Sequence, residues 1–150
     1  MTRILASAAL LLCLLSLTAC QRAYFSAMEK VGVHKRDILI DRVGEARDSQ
    51  AEAKEEFASA LERFASVVNF DGGELQAAYD RLNASYESCR DQADTVSHRI
   101  DKVEEVARAL FAEWEQELTQ YTNPKLRDQS ASQLRVTRRE CDRMLAAMRR

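Results

Sequence analysis

The chain has 150 residues, of which 46% are hydrophobic and 31% are charged, and it contains only four Gly and one Pro. Because tight turns depend on these two residues, the composition argues against a β-sandwich, a barrel or a doubly wound α/β fold, and it favours long helices. The apolar share disfavours disorder, and a formal net charge of −2 disfavours a nucleic-acid partner.

Residues 1–19 are predicted to be a lipoprotein signal peptide. The positively charged N-terminus is followed by an apolar run of ~14 residues, which is shorter than the ~20 residues of a membrane-spanning helix. The run ends in Leu-Thr-Ala-Cys at 17–20, which resembles a bacterial lipobox and implies cleavage before Cys20 and acylation of its thiol by fatty acids such as palmitate. Several acyl chains would hold the protein on a bilayer. An ordinary signal peptide or an uncleaved anchor is the alternative.

The residue after Cys20 bears on localisation. It is Gln21, and the absence of Asp at this position favours the outer membrane under the enterobacterial sorting rule. We therefore expect the mature protein to be anchored in the outer membrane and to face the periplasm.

Three helices are predicted, over residues of about 26–70, 74–121 and 125–150. An Asp-Gly-Gly turn at 71–73 separates the first two. At the second break, Asn123 is predicted to be the N-cap and Pro124 the first helical residue. Gly32 lies inside the first predicted helix, where it favours a kink.

The apolar residues of the second helix recur at spacings of four and three, which is the heptad signature of left-handed helix packing. The predicted seam comprises Leu75, Tyr79, Leu82, Tyr86, Cys89, Ala93, Val96, Ile100, Val103, Ala107, Leu110, Trp114 and Tyr121. We predict an all-α fold, an elongated antiparallel helical hairpin or three-helix coiled-coil bundle, in a single domain over residues 20–150.

The third helix is long enough to cover only about half of the second. The far end of the second helix therefore remains a two-helix hairpin, or is covered by a partner, or is covered by natural chain beyond Arg150. Residues 74–121 carry a net charge of −6 and residues 125–150 a net charge of +5. We expect Arg135, Arg138 and Arg139 to pair with acidic residues of the second helix.

Cys13 lies in the predicted signal peptide and Cys20 is the predicted site of the lipid. The other two cysteines are Cys89 and Cys141. An oxidising compartment favours a disulfide. In an antiparallel hairpin, however, Cys141 lies level with about residue 104, which leaves Cys89 ~22 Å away along the helix axis. Because a disulfide needs Cα atoms within ~7 Å, we predict none.

The block Lys-Val-Gly-Val-His-Lys-Arg-Asp at 30–37 lies within residues 24–39, which look like the opening of a bacterial lipoprotein family catalogued as domain of unknown function 2959. Further stretches are similar to that family, at 41–43, 46–50, 103–107, 110–115 and 121–126. The resemblance implies a lipid-anchored coiled-coil protein with no assigned activity and no catalytic residues. It also implies that family members continue beyond the position of Arg150.

The polar cluster that most suggests a binding site is His34, Lys35 and Arg36. It could contact anionic head groups or a partner near the predicted anchor. The alternative is a solvated helix turn. His34 and His98 are the only histidines and form no convergent ligand set, so we expect no metal site and no cofactor. No nucleophile motif or phosphate loop is present, so we expect no catalytic residues.

Two functions follow from these patterns. The first is a structural or protein-interaction role in the bacterial envelope, without catalytic activity, through a protein partner or self-association. The second is a helical-bundle carrier of a lipid or hydrophobic ligand, in which an aromatic seam of Tyr79, Tyr86, Trp114 and Tyr121 opens. Core packing of these four aromatic residues is the favoured interpretation.

Overall fold

The computed structural model describes residues 23–68 and 75–150. These residues are helical apart from short breaks and contain no strand, which confirms the all-α prediction. The predicted signal peptide, Cys20 and the predicted turn at 71–73 lie outside the described residues. The described residues form four helices, which are α1 over residues 23–30, α2 over Lys35–Val68, α3 over Leu75–Leu118 and α4 over Pro124–Met148.

The first predicted helix is interrupted at residues 31–34, where we expected only a kink. Gly32 has a φ of 84°, in the left-handed region that glycine adopts without strain. The backbone N–H of Gly32 donates to Glu29 at 3.0 Å and that of Val33 donates to Met28 at 3.0 Å. These two bonds form a Schellman motif, which satisfies the last carbonyl groups of α1 and ends it.

The next helix begins immediately after this stop. The backbone N–H of His34 donates to Oδ2 of Asp37 at 3.3 Å, as in the second half of a capping box. The His34 carbonyl accepts the first helical bonds from Asp37 and Ile38. The polar cluster at 34–37 is therefore a helix start, and this local bonding is why the long helix divides.

The chain divides into two compact units between Ile38 and Leu39. The prediction of one domain over residues 20–150 stays a prediction. Within the second unit, Ala46 of α2, Ile100 and Val103 of α3 and Leu145 of α4 form one buried cluster. Three helices therefore meet in the core of this unit, as the bundle prediction requires.

The order of the contacts shows that neighbouring helices are antiparallel. Along α3, Leu145 packs with Val103, whereas Leu134 packs with Phe111 in a second buried cluster. Between α2 and α3, Glu45 pairs with Arg99 at 2.5 Å, whereas Glu52 accepts from Gln92 at 3.2 Å. Residue numbers rise along one helix as they fall along the other, as expected for consecutive helices joined by short connections.

The predicted cap of α4 is confirmed. Oδ1 of Asn123 accepts from the backbone N–H groups of Lys125 at 3.0 Å and Leu126 at 3.3 Å, and Pro124 occupies the first helical position. The side chain thus satisfies donors that have no partner within the helix.

Replacing Asn123 by Ala is expected to lower the free energy of unfolding by about 1 kcal/mol, because these donors lose their acceptor. Asn83→Ala is the matched control. Asn83 is exposed in the interior of α3, where Ala is the better helix former. Urea denaturation followed by circular dichroism measures both changes, and an equal response of the two variants would contradict the capping role.

Candidate functional site

Within the second unit, α4 ends part of the way along the other two helices. Nε2 of Gln50 in α2 donates to the backbone oxygen of Met148, the last residue of α4, at 2.8 Å. Beyond this point α2 and α3 continue as a pair. We call residues 51–68 and 75–95 the two-helix segment.

Small and polar residues hold the two-helix segment together. Ala78 and Ser85 of α3 are buried, with 1% and 4% of their surface exposed. Oγ of Ser85 accepts from Arg63 of α2 at 3.1 Å, and Sγ of Cys89 lies 3.9 Å from the carbonyl oxygen of Glu56. Small and polar side chains therefore make these contacts, and six large apolar side chains of the segment lie outside them.

Those large apolar side chains are instead between 48% and 75% exposed. They form a set that we call the apolar stripe: Phe57, Leu61 and Phe64 on α2, and Leu75, Tyr79 and Tyr86 on α3. The predicted seam is therefore wrong at Leu75, Tyr79, Tyr86 and Ala93, which are exposed, whereas its members Leu82 and Cys89 are half-buried. Ala78 and Ser85, which the seam left out, are buried. Monomeric proteins seldom leave large apolar side chains clustered in this way without a function.

The apolar stripe continues the groove that α4 occupies. Phe57 follows Gln50 by seven residues, or about two helical turns. Tyr86 precedes Ile100 by fourteen residues, or about four turns. Residues at such spacing stay on nearly the same side of a helix, with a drift of only ~20° per heptad. Gln50 contacts the end of α4 and Ile100 packs with Leu145, so the stripe lies where a longer third helix would pack.

A row of carboxylates accompanies the stripe on α3. Asp80, Glu87, Asp94 and Asp101 recur every seven residues, so they lie on one side of the helix. We call them the acidic row. Asp101, at the covered end of the row, accepts from Arg149 after α4 at 2.9 Å. In all, the two-helix segment has eight acidic and four basic residues, a net charge of −4.

The covered half of the groove combines apolar contacts with arginine pairs. The guanidinium of Arg138 lies 5.2 Å from the centre of the Phe111 ring and pairs with Glu115 at 2.9 Å, which confirms the pairing predicted for this arginine. Arg149 also hydrogen bonds with Glu104 at 2.5 Å, and this bond lowers the pKa of the Glu104 carboxyl. Exposed pairs of this kind contribute at most about 1 kcal/mol each, so they select the register of α4 more than they stabilise it.

The three residues predicted to contact head groups or a partner have different surroundings. His34 and Arg36 are exposed, and Arg36 lies 3.8 Å from Asp37. Lys35 is partly buried, pairs with Glu29 and places its ammonium group 5.8 Å from the centre of the Phe25 ring. Lys35 therefore has a local structural role as well as its predicted one.

Both cysteines of the described chain are free thiols. Sγ of Cys141 is partly buried beside the core clusters, and burial followed by the charges of Asp142 and Glu104 raises the pKa of this thiol. Among the described residues, no group of three metal-binding side chains converges, and none of the helices is long and apolar enough to cross a membrane.

The aromatic seam divides into two environments. Tyr79, Tyr86 and Tyr121 are exposed, so the favoured interpretation of core packing is wrong for these three residues. Trp114 packs against the cluster of Ala107, Phe111 and Leu134, and its Nε1 donates to Ser130 at 2.8 Å. The length difference between the second and third helices was the sequence signal for this division, because it left half of the seam without a third helix.

These features define the class: an all-α bundle in which one helix covers half of a groove and an apolar stripe lies exposed in the other half. The chain belongs to the family described as protein of unknown function (DUF2959), whose pattern matches residues 24–150. No curated protein and no solved structure is significantly similar to the chain.

Proposed function

We propose that this protein is a lipid-anchored interaction protein of the bacterial envelope, with no catalytic activity, and that the apolar stripe binds another protein. The observation that carries the proposal is the exposure of six large apolar side chains along one side of a bundle whose other half is closed by α4. Aromatic side chains of this size are the usual anchors of protein interfaces, because they bury much surface at little entropic cost.

The anchor in this proposal rests on the sequence Leu-Thr-Ala-Cys at 17–20 and the apolar run before it. The localisation that fits Gln21 is the outer membrane, with the protein facing the periplasm. His34 and Arg36, which are exposed, are proposed contacts for anionic head groups, whereas Lys35 also binds Glu29.

Replacing Cys20 by Ser is expected to move the protein from the membrane fraction to the soluble fraction, because the acylated thiol is lost. Cys13→Ser, within the apolar run, is the matched control and should leave the distribution unchanged. Fractionation of cell envelopes measures the distribution, and mass spectrometry of the mature N-terminus reports the acyl chains. An unmodified Cys20 would refute the lipid anchor.

The interaction role itself is tested by a photo-crosslinking residue placed at Tyr86 in the full-length protein in cells. A crosslink from this position to another envelope protein, with none from an equivalent residue at Asp128 on α4, supports it. Crosslinks to lipid alone, or no crosslink, would refute it.

The second candidate is a carrier of a lipid or hydrophobic ligand. An open cleft of about 670 Å³ between α3 and α4 favours it, because its lining combines Phe111 and Leu145 with Arg138 and Arg149. Such a site would suit an acyl chain, because carboxylates line the cleft as well as the arginines. Lipid that copurifies in a fixed ratio and is lost in Phe111→Ala would support the carrier.

A further inference from the structure

The uncovered half of the groove has the same two components as the half that α4 fills. The first component is an apolar surface, and the second is a row of carboxylates. In the covered half, Leu145 packs between Ala46 and Val103, while Arg149 pairs with Asp101 of the acidic row. In the uncovered half, the apolar stripe continues the first component and Asp80, Glu87 and Asp94 continue the second. Glu87 also pairs with Arg90 of the same helix at 2.7 Å, so a basic partner residue would share this carboxylate. Helix α4 presents apolar residues to the groove and is followed by a basic residue that pairs with the acidic row. A helix with the same apolar and basic character would therefore fit in the uncovered half.

We infer that the apolar stripe and the acidic row together bind an amphipathic helix with basic flanks, which belongs to a partner protein and lies in line with α4. The inference rests on the proposed function, since it names the kind of partner that the stripe accepts. The apolar residues of the partner helix pack against Phe57, Phe64 and Tyr86, and its Lys or Arg residues face the carboxylates of the row.

The dimensions of the groove set the length of that helix. From Gln50, where α4 ends, to Phe64 is fourteen residues, and a helix rises ~1.5 Å per residue, so the open groove is ~21 Å long. A partner helix of about four turns fills this distance. Helices that dock in apolar grooves typically present anchors at spacings of three, four and seven residues, which matches the spacing of the stripe.

Charge distinguishes the proposed partner from a second copy of the chain. Two copies that met through their two-helix segments would bring two surfaces of net charge −4 together, and like charges across an interface oppose association. A basic helix meets the same surface with attraction. Arg149 shows this preference within the chain, because its guanidinium is held by Asp101 and Glu104.

The test uses the acylated full-length protein in nanodiscs of phosphatidylcholine and two labelled 18-residue peptides. Both peptides carry Leu at heptad spacing, and they differ only in flanks of Arg or of Glu. We expect the Arg-flanked peptide to bind at least tenfold more tightly by fluorescence anisotropy, and its affinity to fall as salt is raised. Empty nanodiscs provide the background. Equal affinities of the two peptides would overturn the inference.

Variants assign the binding to the surface. Phe57→Ser with Tyr86→Ser, and separately Glu87→Lys with Asp94→Lys, are each expected to weaken the Arg-flanked peptide at least tenfold. Asp128→Lys with Asp142→Lys on α4 makes the same charge change outside the two-helix segment and should change the affinity less than twofold. Circular dichroism of each variant establishes that it is folded. If folded stripe variants bind as tightly as the parent chain, the inference is wrong.

The identity of the segment that crosslinks to position 86 distinguishes the proposed function from the inference about a basic partner helix. A basic segment with apolar residues at heptad spacing supports both. An acidic or non-helical segment of another envelope protein overturns the inference but preserves the proposed function. A peptide of this protein itself, from the same chain or from a second copy, overturns the inference. Crosslinks to lipid alone overturn both.

Discussion

Replacing Val103 by Asp is expected to unfold the three-helix part of the bundle. Val103 is fully buried, with 0% of its surface exposed, in the cluster where α2, α3 and α4 meet. A carboxyl group placed there loses its hydration and has only Ala46, Ile100 and Leu145 as buried neighbours in the cluster. The expected loss is more than about 3 kcal/mol, against a total of about 5–15 kcal/mol for a typical domain.

Thermal denaturation followed by far-ultraviolet circular dichroism measures this loss. Val136→Asp is the matched control, since Val136 of α4 is 41% exposed and the same change there should alter the stability by less than about 0.5 kcal/mol. Val103→Ala, which leaves a small cavity, should lie between them at about 2 kcal/mol. Equal losses at positions 103 and 136 would contradict the position of the core.

Replacing Ser85 by Leu is expected to destabilise the two-helix segment, although Leu is the better helix former. Ser85 is buried between α2 and α3 and accepts a hydrogen bond from Arg63. A larger side chain forces the helices apart and removes that acceptor, at a cost of about 1–3 kcal/mol.

The adjacent residue provides the decisive control. Tyr86 is 62% exposed, so Tyr86→Ala should change the free energy of unfolding by less than about 0.5 kcal/mol. Hydrogen exchange of the backbone amides on α2 and α3 locates the effect in the two-helix segment. The predicted heptad seam gives the opposite result, with Tyr86→Ala destabilising and Ser85→Leu neutral, so the two variants decide between the interpretations.

The pair of results at 85 and 86 bears directly on function. If Tyr86 were part of the core, its substitution would unfold the protein and reveal nothing about binding. Because it is exposed, its replacement by Ser removes an anchor of the proposed interface and leaves the fold intact. The same reasoning applies to Phe57, which is 66% exposed.

The break at residues 31–34 was readable from the sequence, although we predicted a continuous helix. Gly32 is followed after five residues by Asp37, so a helix stop stands close before an acidic residue of a new first turn. The hydrogen bonds that make the break all lie between residues 28 and 38.

The sequence by itself determined the elements whose causes are local. Asn123 starts α4 by accepting from the backbone N–H groups of Lys125 and Leu126, and Pro124 occupies the first helical position. The scarcity of Gly and Pro leaves room only for long helices. The regular spacing of apolar residues also established that the helices pack side by side. These features need no knowledge of the third dimension, because a helix and its caps are made from contacts within about four residues.

Only the tertiary structure decided which apolar residues are buried. The 4–3 spacing of α3 is continuous from Leu75 to Trp114, yet Ile100 and Val103 are in the core whereas Tyr79 and Tyr86 are exposed. The reason is the number of helices that meet at each level. Where α4 is present, two sides of α3 are covered. Beyond Gln50 no helix among the described residues 23–68 and 75–150 takes the place of α4, and the same sequence pattern forms an exposed surface.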